Sequence, residues 1–170
     1  VILKKGGVFV KKLILSVLCI ILCINITSGI VNADKKTIVQ KPDYILKEIT
    51  SYEIKVKNNT KTIDNLKITF VKTYNSAKLK IKNIQENKKK FTDSRASKLK
   101  GILDLISEDS MAISISTENL HIAINKYDED LPYLGVAFKK ERLIEIIELQ
   151  IIQIDNLRKA ISDIGLINKV

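Results

Sequence analysis

The sequence predicts an all-α protein: an antiparallel bundle of three long amphipathic helices after an N-terminal signal segment, or of four helices if the first breaks near Asn59. Three observations predict it. Apolar residues recur by threes and fours through nearly all of residues 43–164, the spacing of one helix face turned inward. Two polar clusters, Thr92-Asp93-Ser94 and Asp128-Glu129-Asp130 with the Pro132 and Gly135 that follow, cut this pattern into long segments. With 45% apolar and 28% charged residues in a chain of 170, the composition is that of one globular domain.

The most apolar segment is the last. Leu143, Ile147, Gln150, Ile154, Leu157, Ile161 and Ile164 make one face, and Ile144, Ile146, Leu149, Ile151 and Ile152 widen it. Only a narrow polar stripe remains, with Glu145, Glu148, Asp155 or Asn156, Lys159 and Asp163. Such a helix must be covered by the rest of the chain, a partner or a membrane. It is expected to run from about Phe138 to Ile164, with Gly165 as its stop.

Residues 1–33 read as a secretory signal peptide. Lys11 and Lys12 precede twelve mostly aliphatic residues, Leu13 to Ile24, and Val31-Asn32-Ala33 offers small cleavage-site residues before Asp34. The competing reading is a retained signal-anchor through residues 13–31, close to the ~20 residues that span a bilayer. Lipidation at Cys19 or Cys23 is disfavoured, because Leu18 and Leu22 stand where a lipobox needs a small residue. These are the only two cysteines, so cleavage after Ala33 leaves a chain with no disulfide and no thiolate chemistry. The abundance of Lys, Ile and Asn suggests an AT-rich bacterial genome.

Residues 34–42 read as a flexible leader and residues 43–170 as the bundle. From Ile45 to Ile84 the helical period is sustained, through Tyr52, Val56, Ile63, Phe70, Tyr74 and Ile81. Residues 52–70 also alternate with period two around Asn58-Asn59-Thr60, so a β-hairpin competes there. Helix is favoured because its period continues beyond both ends of that window. A break at the asparagines would make Thr60 a new N-cap. Lys88, Lys89 and Lys90 then suit a helix C-terminus, and Thr92 to Ser94 the cap of the next. That helix turns Leu99, Leu103, Ile106, Ser110, Ile113, Thr117, Leu120, Ile124 and Tyr127 inward. Ile102, Met111, Ile115 and Ile122 lie on its other faces and predict contact with more than one neighbour; Ser110 and Thr117 are read as packing residues.

The net charge of +10 is unevenly placed. Residues 34–100 hold 18 basic and 7 acidic residues, and residues 101–170 hold 7 basic and 12 acidic. Two readings follow: a surface for an anionic membrane or wall polymer, carried by Lys78, Lys80, Lys82, Lys88, Lys89 and Lys90, or a basic helix lying against acidic ones within one molecule. The second is favoured, because the complementary acid is already in the chain.

No pattern of site chemistry stands out. His121 is the only histidine and reads as a surface or boundary residue. The acids at 128–130 lack the alternating ligands and central glycine of a calcium loop. Neither a phosphate-cradling glycine loop nor a transition-metal ligand set is visible, and no cofactor is expected. The Lys-rich half carries no aromatic-lined groove, which disfavours nucleic acid. The expectation is a small exported helical protein that is no enzyme and binds an unidentified protein or envelope partner. Self-association is left open, and the alternatives are a membrane-active, toxin-like bundle and a signal-anchored envelope component.

Overall fold

The computed structural model describes residues 43–86, 92–131 and 134–170. The signal segment 1–33, the junction of Ala33 and Asp34, the leader 34–42 and Lys88, Lys89 and Lys90 lie outside the described residues. What is described is an all-α bundle of three helices: α1 (Asp43–Glu86), α2 (Asp93–Asp130) and α3 (Val136–Leu166), closed by a 3-10 turn, Ile167–Lys169. There is no strand among the described residues, so the helical reading of 52–70 holds over the hairpin.

The 44 residues of α1 extend about 66 Å without a break at Asn59, so the helices number three and not four. Thr60 is no N-cap. Its hydroxyl donates back to Val56 O at 2.9 Å, and Thr50, Thr62, Thr69 and Thr73 each do the same one turn back. The weak point is also held from outside: Gln150 of α3 donates its amide to Val56 O at 3.1 Å and to Thr60 Oγ1 at 3.0 Å. Tertiary contact thus overrides a poor local propensity.

The α2 helix starts where the sequence indicates. Thr92 is extended and its Oγ1 accepts the Arg95 backbone N–H at 3.3 Å, with Asp93 in the positive first turn. Gly135 caps α3 without a side-chain bond. At the other end the expectation fails, because Gly165 lies inside the helix and the 3-10 turn continues beyond it. The reason is burial: Ile164 and Ile167 are both fully covered, and stopping at Gly165 would leave Ile167 in water.

The centre of the bundle is α3, which packs most closely on both other helices, and α1 comes near α2 where Thr60, Ile63 and Lys67 border the same small cavity as Leu120 and Ile124. Cross-helix bonds set the register. Glu48 meets Lys140, Thr60 meets Gln150 and Ser76 meets Asn168, so α1 and α3 run parallel. Thr117 meets Gln153, Ala112 meets Asn156 and Asp109 meets Lys159, so α2 and α3 run antiparallel. One core joins all three, with Phe70, Ile106, Ile113, Leu157 and Ile164 fully enclosed. Ile102 is buried as well, but Met111, Ile115 and Ile122 are exposed, so those three lie outside the core.

Candidate functional surfaces and the polar seam

The most buried polar groups lie along α3, where two glutamines one turn apart face different helices. Gln150 bonds α1 as described, and Gln153 donates its amide to Thr117 Oγ1 of α2 at 2.8 Å. Both glutamines are 1% exposed, and the carbonyl oxygen of each lacks a partner. Thr117 therefore works as a hydrogen-bond acceptor and not only as a packing residue. Beside them is a cavity of about 10 Å³, bordered by Thr60, Ile63, Lys67, Leu120 and both glutamines. That is room for about one water and for no organic ligand. Burial pulls the Lys67 ammonium below its ordinary value, against the opposing effect of Asp64 at 3.6 Å.

A second polar group joins α2 to α3. Asp109 is 4% exposed and bonds Lys159 Nζ through Oδ1, while its Oδ2 has no partner. Lys159 also reaches Asp163 Oδ2 at 3.1 Å, and Asn156 donates to Ala112 O at 3.2 Å. Burial is the main cause that holds the Asp109 carboxyl above its ordinary value; Lys159 opposes it and Asp163 adds to it. The same bonds to Asp109 and Asp163 raise the Lys159 ammonium. At the far end of α2, burial pushes the Tyr127 phenol up to about 12, with Glu53 and Asp128 adding to the effect. Gln153, Asp109 and Ser116 are buried although the sequence reading did not turn them inward. A strict helical wheel would have placed Gln153 beside Gln150 and Leu157, and that is the signal overlooked.

Of the sequence-predicted site residues, Lys78 and Lys82 are exposed and lie one turn apart on one side of α1, and Lys82 pairs with Glu86 at 3.8 Å. Lys80, half-buried, is on the opposite flank, so the three do not make one patch. His121 sits at the boundary, with Nε2 3.0 Å from Asn125 Nδ2. The described residues contain no cluster of three or more potential metal ligands, and no described helix is long and apolar enough to cross a membrane.

The α1 helix carries nine lysines and five acids, and α2 carries four basic residues and eight acids. They carry opposite net charge, and each packs chiefly on α3. Two cross-helix ion pairs among the described residues, Glu48 with Lys140 and Asp109 with Lys159, each use a lysine of α3. The outward faces of α1 and α2 consequently keep their opposite charges, together with exposed Leu46, Ile54, Ile68 and Leu79 on one and Met111, Ile115 and Ile122 on the other. Compared with known proteins, the chain matches no family model, no curated protein and no solved structure.

Proposed function

We propose that this chain is a small exported helical protein that acts as a non-catalytic binding module at or outside the bacterial cell envelope. The observation that carries the reading is the pair of outward faces on α1 and α2, where aliphatic side chains stay in water although the bundle has a complete core elsewhere. Exposed apolar side chains in a line are what a docking surface needs. The signal-like residues 1–33 support export, and the lysines of α1 support attraction to anionic wall polymer or lipid.

Fractionation of cells carrying a tagged copy, with N-terminal sequencing of the exported material, tests the compartment. A mature N-terminus at Asp34 is expected; an intact Lys11–Ile30 segment in the membrane fraction would favour the signal-anchored reading. Dye-loaded vesicles of anionic and of neutral lipid test the mode of action. A binding module leaves them intact, and any adsorption to the anionic ones fades with salt, since surface charges are screened within about 8 Å at physiological ionic strength. Dye release that persists in high salt would replace this reading with a membrane-active one.

A further inference from the structure

We infer that the outward face of α1 docks on the outward face of α2 of a second copy of this chain, the two helices running parallel with Lys57 opposite Asp104. The proposal deepens the binding reading by naming one partner, and it rests on that reading's premise that these faces dock.

The first observation is the α2 face. Asp104, Glu108, Met111, Ile115, Glu118, Ile122, Asn125 and Glu129 follow one another by alternating fours and threes, and every one is exposed. This is a heptad-type seam on the side of α2 turned away from its own core. The second is the matching line on α1: Lys57, Lys61, Asp64, Ile68, Lys72, Asn75, Leu79 and Lys82, again all exposed. Each line takes seven steps to cover 25 residues, about 37 Å of helix.

Laid side by side in the same direction, the two lines correspond in register. Lys57 meets Asp104, Lys61 meets Glu108, Ile68 meets Ile115, Lys72 meets Glu118 and Lys82 meets Glu129. Laid in opposite directions with their ends matched, the same lines put Ile68 on Glu118 and Leu79 on Glu108. The parallel register therefore sets four lysines against acids and Ile68 against Ile115, with Asp64 on Met111, Asn75 on Ile122 and Leu79 on Asn125 left unmatched, whereas this antiparallel one matches only its end pairs, Lys57 with Glu129 and Lys82 with Asp104. Among the described residues, Lys57, Lys61, Lys72, Asp104, Glu108, Glu118 and Glu129 form no salt bridge within the chain. Their charges are thus free to select a partner and its orientation. An anionic surface would engage the α1 face alone; a second copy accounts for both.

The geometry has a consequence for assembly. Within one copy α1 and α2 run in opposite directions, so parallel docking turns the second copy end over end. Each copy offers both a basic and an acidic face, and the assembly is a dimer or a larger array built from the same contact.

The test uses the full chain, co-expressed with two different affinity tags, with a photo-crosslinking amino acid in place of Ile115. After irradiation and recovery through both tags, mass spectrometry should place the crosslink within residues 61–75 of the other copy. Lys57→Glu, Lys61→Glu and Lys72→Glu together should lower the yield at least tenfold. Co-expressing that variant with one carrying the crosslinker and Asp104→Lys, Glu108→Lys and Glu118→Lys should restore it. Because all six positions are exposed, circular dichroism should show unchanged helix in each variant. A crosslink elsewhere on the second copy, no doubly tagged product, or failure of the paired reversals to restore the yield overturns the proposal. The vesicle and fractionation results stand apart from any of these outcomes.

Discussion

Gln153 of α3 reaches across to Thr117 of α2 with a 2.8 Å hydrogen bond, while Gln150, one turn earlier, serves α1. The central helix is thereby pinned in register to both neighbours by buried amides. A buried donor and acceptor that satisfy each other add little over an apolar pair of the same shape, but removing one partner is costly. Gln153→Ala should therefore destabilise the protein by about 2–3 kcal/mol. Gln153→Leu combined with Thr117→Val should fall within about 1 kcal/mol of the wild type. Urea midpoints for the three proteins check this; a double variant as weak as Gln153→Ala would mean the bond is worth more than the exchange argument allows.

Asp109 gives a pH dependence of definite sign. Its folded carboxyl is held above the ordinary value of 3.8, chiefly by burial, so the native state binds that proton more tightly than the unfolded chain. The cost of the buried charge is present above the folded value and fades as pH falls through it. Lys159 also has a raised value, but its contribution is lost only on the alkaline side, above 10.5. Relative to Asp109→Asn, the wild type should thus gain stability as pH is lowered from 7 toward 4. Thermal or urea denaturation of both proteins across that range measures it, and a constant difference would contradict the assignment.

Ile154 is 6% exposed on the face of α3 that both other helices cover. Ile154→Asp places an unpaired charge there and should cost on the order of 4 kcal/mol or more, enough to unfold a domain of ordinary stability. Loss of the helical circular-dichroism signal or of the cooperative transition is the readout. Ile115→Asp, on the outward face of α2, should leave both intact.

Gly101 lies inside α2 with no atom within 4 Å of where a side chain would begin. Gly101→Ala should therefore stabilise the protein by about 0.5–1 kcal/mol, since the helix loses a flexible residue and meets no clash. At the start of the same helix, Thr92→Ala removes the acceptor for the Arg95 N–H and should cost about 1 kcal/mol. Opposite shifts in melting temperature for the two variants are expected.

The inward faces were legible in the residues themselves. Leu143, Ile154, Leu157 and Ile164 on α3, and Ile106, Ile113, Leu120 and Tyr127 on α2, repeat at the period of a helix, and that period is a property of one segment alone. So was the start of α2, because Thr92 caps a helix through atoms three residues away. What the period cannot hold is which face meets which. Asn58-Asn59-Thr60 reads as a break until Gln150, some ninety residues on, bonds across it. Asp109 reads as one more surface acid until Lys159 and Asp163 arrive from α3. Gly165 reads as a stop until Ile167 finds cover. Tertiary structure alone also decided that the basic and acidic helices both pack chiefly on α3: it presents the widest apolar face, both helices bury against it, and exposed charges of opposite sign remain on their outward sides.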